Sequence, residues 1–224
     1  MYTQRTLCTQ LLLVLAALGC FGTGRTQADP ITYHVTVDTT SLDQEYGYLF
    51  VQFNPGPGGA ALASATVTNF FTDGTLNPND PLNGPSGDVS GSLPGTLILT
   101  NDQFPNYYLE GFTYGNSIQF DVMLSGPGLN SPGTSSSGSS FAFSLEDSTS
   151  YNPLLTTDPN GSVLTINVNP DATTSVETFP QSPTDNTPAA SAFLPPQSSV
   201  PAPPSLVLFL VAVPAGLVYW RRSR

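Results

Sequence analysis

Ser117-Ile118-Gln119-Phe120-Asp121-Val122-Met123-Leu124 is the stretch that decides the fold class. Ile118, Phe120, Val122 and Leu124 recur every second residue, with Gln119 and Asp121 between them. That alternation is the mark of a strand with one buried and one wetted face. Ile31-Thr32-Tyr33-His34-Val35-Thr36-Val37 repeats it, with Ile31, Tyr33, Val35 and Val37 inward and Thr32, His34 and Thr36 outward. Residues 46–53 are apolar on both faces, which predicts a central strand. Runs at 61–71, 96–100, 107–112, 141–145, 163–168 and 173–179 complete the set, and Pro/Gly/Asn clusters at 54–59, 77–91, 126–140 and 158–161 separate them. About nine short strands between such turns predict an all-β fold, a β-sandwich. No part of 29–180 has a helical period.

The 224 residues carry five Lys+Arg and 16 Asp+Glu, a formal net charge of −11. The basic residues are Arg5, Arg25, Arg221, Arg222 and Arg224, all at the two ends, and lysine is absent. All 16 acids lie between Thr26 and Trp220. That segment cannot form a Lys/Arg–carboxylate pair, so burial and hydrogen bonds must hold it. Nucleic acid is excluded as a partner, because nothing is there to neutralise phosphates. Uncompensated acidity suits a soluble exported domain. Both cysteines, Cys8 and Cys20, are in the amino-terminal segment, so the mature chain has no thiol and no disulfide.

The two ends are processing and anchoring signals. Residues 1–28 have Arg5, an apolar run over 11–18 and Thr26-Gln27-Ala28, the order of a secretory signal peptide. Signal peptidase is expected to cut between Ala28 and Asp29. A competing feature is Ala17-Leu18-Gly19-Cys20, similar to a lipobox in which Cys20 would be lipidated. The domain is expected over 29–180. Eight prolines over 180–204 predict an extended, mostly disordered linker across 181–205. Residues 206–220 are uncharged and predict a single transmembrane helix. Such a helix is roughly 22 Å long against about 30 Å of hydrocarbon. Pro214 weakens it, and Tyr219 and Trp220 suit the headgroup level. Arg221, Arg222 and Arg224 form a stop on the cytoplasmic side, leaving the domain outside.

Few residues offer chemistry. His34 is the only histidine, so a Ser-His-Asp triad or a zinc site has little to build on, and no Gly-x-Ser-x-Gly elbow is present. A glycosidase needs two carboxylates about a sugar bond. Glu110, Glu146 and Asp147 lie beside aromatic-rich strands but read first as solvated acids at strand ends. Calcium wants clustered oxygens. Asp158, Asn160 and Ser162 alternate around Gly161 and form a weak candidate loop, and Asn77-Pro78-Asn79-Asp80 a weaker one. The order Asp-Pro-Asn-Gly also suits a hairpin turn, the reading preferred here. Tyr107, Tyr108, Phe112 and Tyr114 could stack on a sugar or pack in a core, and core packing is preferred. No cofactor is expected beyond that weak Ca²⁺ loop.

The tail resembles the PEP-CTERM sorting domain. The residues that carry this are Val200-Pro201-Ala202-Pro203-Pro204-Ser205, the apolar segment after them and Arg221-Arg222-Ser223-Arg224. The family's motif has glutamate where this chain has Ala202. The body is similar to proteins known by that tail alone, through Gly47-Tyr48-Leu49, Gln52-Phe53-Asn54-Pro55-Gly56, Gly91-Ser92-Leu93-Pro94-Gly95, Leu124-Ser125-Gly126-Pro127 and Leu154-Leu155-Thr156-Thr157-Asp158-Pro159-Asn160-Gly161. The resemblance implies an exosortase-type sorting enzyme as partner and a place in the envelope or matrix of an exopolysaccharide-producing Gram-negative-type bacterium. It implies no activity. The expected role is structural or adhesive and non-catalytic. The alternatives are a glycan- or calcium-binding module and a carboxylate glycosidase.

Overall fold

Alternation of apolar and polar residues becomes a ladder of antiparallel strands in a computed structural model, which describes residues 29–130, 136–150 and 152–195. The expected signal peptide with Ala28, the sorting-motif candidate Val200–Ser205, the candidate span 206–220 and the terminal arginines lie outside the described residues.

Sixteen strands run in chain order: β1 (Ile31–Asp38), β2 (Tyr46–Pro55), β3 (Ser64–Thr72), β4 (Thr75–Leu76), β5 (Gly84–Ser86), β6 (Val89–Gly91), β7 (Leu97–Thr100) and β8 (Tyr107–Thr113), then β9 (Ser117–Ser125), β10 (Ser139–Asp147), β11 (Pro153–Leu154), β12 (Ser162–Val168), β13 (Thr174–Thr178), β14 (Pro180–Ser182), β15 (Asp185–Pro188) and β16 (Ala190–Phe193). Helix among the described residues is confined to two short 3₁₀ turns, at Thr40–Leu42 and Pro127–Leu129. No helix among them is long and apolar enough to cross a membrane.

One sheet has six strands, in the order β16-β1-β9-β3-β7-β6. A second has eight, along β13-β12-β10-β2-β8-β4 with β11 beside β10 and β5 beside β8. All pairings are antiparallel, and the arrangement is consistent with a β-sandwich. β2 is central, as its two apolar faces require. Val35, Val37, Ile118, Val122 and Leu124 of the first sheet and Leu49, Val51, Phe53, Phe141 and Phe143 of the second are buried in one core. Phe120 meets Phe143 at 4.8 Å between ring centroids, and the Tyr33 hydroxyl lies 2.7 Å from Thr174 Oγ1.

Polar clamps do the work that ion pairs cannot do in this segment. Buried Asn101 accepts from the Ala63 N–H at 2.7 Å and donates to the Ala61 carbonyl at 2.7 Å and to Ser139 Oγ at 2.6 Å. Tyr114 donates to the carbonyls of Tyr48 and Glu146, each at 2.9 Å. Its ring crosses Gly47, where a Cβ would lie 2.1 Å from the Glu146 carbonyl oxygen. Among the described residues the one charged-type pair is His34 Nδ1 with Asp121, on the outer face of the six-stranded sheet.

The stretch expected as linker needs a correction at its start. β14 and β15 form a hairpin, and β16 pairs with β1 over four positions from His34↔Phe193 to Val37↔Ala190. Ala189 and Ala190 are buried, and the Ala189 carbonyl accepts from the Asp38 N–H at 2.9 Å. The folded unit therefore runs to Phe193, not 180. The prolines misled because Pro180 and Pro188 sit in an isolated hairpin, where a missing N–H costs little.

Candidate functional site

The eight-stranded sheet turns its second face outward. On β2, Leu49, Val51 and Phe53 are buried in the core, so Tyr46, Tyr48, Phe50, Gln52 and Asn54 take the other face. Register then sets their neighbours. Tyr107 lies opposite Gln52, Ala142 pairs with Gln52 and Thr165, Ser140 with Asn54 and Asn167, and Glu177 with Thr165.

The two ends of that face differ. At one end a loop folds down. Tyr46 and Tyr48 both donate to the Asp80 carboxylate, which also accepts from the Leu82 N–H at 2.8 Å. Asp80 presses on Gly111, where a Cβ would meet its Cβ at 2.9 Å. The candidate oxygen cluster at 77–80 is thus a roof whose carboxylate is occupied. At the other end the face stays open as a groove of about 470 Å³, lined by Gln52, Asn54, Ser140, Ala142, Thr165 and Asn167, with Asp158, Asn160, Ser162, Glu177 and Phe179 along one side.

The groove is chemically neutral in its floor. Asn54 Oδ1 accepts from the Asn106 N–H at 2.7 Å, and Asn54 Nδ2 donates to Gln52 Oε1 at 3.2 Å. Those bonds hold both amides in place. The buried hydroxyl of Thr165 has no hydrogen-bond partner. Beside the floor, Phe50 and Tyr107 form an aromatic pair with centroids 5.1 Å apart. Both are half-buried.

Asp158, Asn160 and Ser162 do come together, at the rim of this groove. Asp158 Oδ2 accepts from the Ser162 N–H at 3.0 Å, and Oδ1 accepts from Asn160 Nδ2 at 3.4 Å. The Gly161 N–H closes the turn onto the Asp158 carbonyl at 2.9 Å, with Gly161 at φ +85°. The loop is a β-turn, between two strands that both pair with β10, whose carboxylate caps its own backbone. A shift of pairing from Leu164 to Ser162 opposite Phe143–Ser144 places it there. No group of three or more His, Cys, Asp or Glu that could hold a metal occurs among the described residues.

The other acids separate. Glu110 is 3% exposed, so it is no solvated strand-end acid. Tyr108 donates to it, Asn83 Nδ2 donates at 3.0 Å, and burial still pushes its carboxyl above the usual range. Glu146 is raised to about 7, first by burial and then by Asp147. Asp147 is held well below the ordinary value by the Thr149 hydroxyl and the Asn152 amide. None of these three lines the groove. Of the four aromatics singled out as a stacking surface, Tyr108, Phe112 and Tyr114 are core residues. Only Tyr107 reaches the outer face.

Sequence reasoning missed Gln52, Asn54, Thr165 and Asn167 as a set. Their signal was polar residues at the outward positions of strands that prove to be neighbours, a relation that needs the strand order. No family model, no curated protein and no solved structure matches this chain.

Proposed function

We propose that this chain is an exported protein of the cell envelope or extracellular matrix, held by its tail, whose β domain is a non-catalytic adhesive that contacts polysaccharide. The observation that carries this reading is the open groove of amides and hydroxyls on the outer face of the eight-stranded sheet. Amides and hydroxyls both donate and accept, as sugar hydroxyls do. Hydrolysis calls for a pair of available carboxylates, and the groove offers Glu177 alone, since the Asp158 carboxylate is committed to the Ser162 N–H and the Asn160 amide.

In this reading signal peptidase releases the chain at Asp29. The segment 206–220 with Arg221, Arg222 and Arg224 holds it in the membrane, facing outward. An exosortase-type enzyme acts at Val200-Pro201-Ala202-Pro203-Pro204-Ser205. The supports are the order of these segments and the resemblance of the tail. β16 feeds the chain out of the edge of the six-stranded sheet, while the groove belongs to the eight-stranded one.

The test is fractionation of cells that make the full chain, together with retention of soluble polysaccharide by those cells. The wild-type chain is expected in washed envelopes with Asp29 at its amino terminus. Leu206→Arg with Leu210→Arg is expected to release it into medium or periplasm, since an arginine costs about 2.5–3.5 kcal/mol at the centre of a span, less toward its end, and this span is short to begin with. Full-length double variant in washed membranes, or a wild type that retains no polysaccharide at the cell surface, overturns the reading.

A further inference from the structure

We propose that the groove is selective for an uncharged polysaccharide, with one sugar ring packed on Tyr107 and Phe50 beside it and a later ring of the same chain, three strands away, over Thr165. This rests on the adhesive reading and names its ligand class.

Three independent features point the same way. The first is the orphan hydroxyl. Thr165 Oγ1 is buried without a partner at a position that lines the groove. A buried polar atom without a partner is costly, and rotation of the Thr165 side chain about χ1 would bring the hydroxyl, now closed to water, out to a ligand hydroxyl in the groove. The second is the aromatic pair. Tyr107 is directly opposite Gln52 on the same face, so the ring platform and the amide floor are adjacent along the sheet. A pyranose ring has apolar C–H faces and polar edges, and it fits an aromatic surface beside fixed amides. From β8 to β13 the face spans four inter-strand steps, roughly 19 Å, longer than a single sugar.

The third feature is charge, and it sets the class. Asp158 and Glu177 stand on the groove wall, and Lys and Arg are absent between Thr26 and Trp220. A uronate or sulfated chain would bring like charge to that wall with no cation to answer it. An uncharged chain meets no such penalty. Glu177 is exposed and directly beside Thr165, so it is the carboxylate such a chain would pass first.

The experiment is affinity electrophoresis of the detergent-solubilised full chain in native gels. Neutral gels carry hydroxyethylcellulose, galactomannan or soluble starch. Acidic gels carry alginate or polygalacturonate. Retardation in at least one neutral gel and in no acidic gel is expected. Thr165→Val keeps the shape and removes the orphan hydroxyl, so its melting point should hold or rise while its retardation constant weakens by about 2–10-fold. Tyr107→Ala should weaken retardation at least as much. Glu177→Gln should raise retardation in the acidic gels relative to that in the neutral ones. Equal retardation by acidic and neutral polymers overturns the ligand class and leaves the adhesive reading standing. Retardation by neutral polymers that Thr165→Val and Tyr107→Ala leave untouched overturns the site. Absence of retardation in every gel overturns both readings at once, and surface fractionation then tells whether the sorting part survives.

Discussion

Ending the chain at Phe179, where the proline-rich stretch begins, should destabilise the domain, whereas ending it at Phe193 should not. The cut at 179 removes β16 and its four paired positions on β1, the Asp38 N–H to Ala189 bond of 2.9 Å, and the buried Ala189 and Ala190. About five backbone bonds at a net ~0.5–1 kcal/mol each amount to roughly 2.5–5 kcal/mol. For a domain of this size that is a fall in Tm of about 5–20 °C. The loss also bares β1 as an eight-residue edge strand with no lysine to discourage pairing, so the short chain should aggregate from partly unfolded states. Thermal and urea unfolding of the two truncated chains, side by side with the full chain in detergent, measure the difference. Equal Tm and equal urea midpoints for the 179 and 193 endpoints would refute the claim that the fold extends through Phe193.

Other expectations follow from single groups. Phe120→Ala, at the junction with Phe141 and Phe143, should cost about 3–5 kcal/mol in urea unfolding. Tyr114→Phe should cost about 1–3 kcal/mol, because the Tyr48 and Glu146 carbonyls lose their shared donor. Glu146 is raised to about 7, so its contribution is fully present below about pH 4.5 and is lost as pH rises through 7. Glu146→Gln should therefore flatten the decline between those values, by ~1–2 kcal/mol at pH 8 after allowance for its partial exposure. Asp73, Asp147 and Asp171 are lowered by hydrogen bonds, so the stability they supply is lost below about pH 4, and the optimum should lie between the two limbs. Asp158→Ala should lower Tm by a few degrees equally in CaCl₂ and in NaCl of matched ionic strength, because its carboxylate caps the Ser162 N–H. A Ca²⁺-specific excess that vanishes in the variant would restore a calcium loop.

All nine strands expected from alternation are present, since burial of every second residue is written in the chain itself. What periodicity does not carry is partner choice. β4, β5, β6 and β11 are two- or three-residue strands made by pairing with β8, β7 and β10, and nothing in Thr75-Leu76 or Pro153-Leu154 marks them in isolation. β16 itself has no proline, but Pro188, Pro195 and Pro196 on either side mask it. Glu110 looked solvated because its burial depends on Asn83 arriving from a loop 27 residues away. The groove was illegible for the same reason, since Gln52, Ser140, Asn167 and Glu177 become neighbours only through register. The Asp158 loop was the exception: Asp, Pro, Asn and Gly each carry a local turn preference, so the turn could be read directly.

The most direct test of the central claim is hydroxyl-radical footprinting of the full chain, with and without the neutral polysaccharide that retards it. Phe179, on the groove wall, and Tyr107, beside the groove, should be oxidised several-fold less when the polysaccharide is present. Phe71, 65% exposed on the other sheet, should keep its rate and serves as the internal control for scavenging. Protection of Phe71 in place of Tyr107 and Phe179, or no protection of any of the three beyond scavenging, would contradict the account.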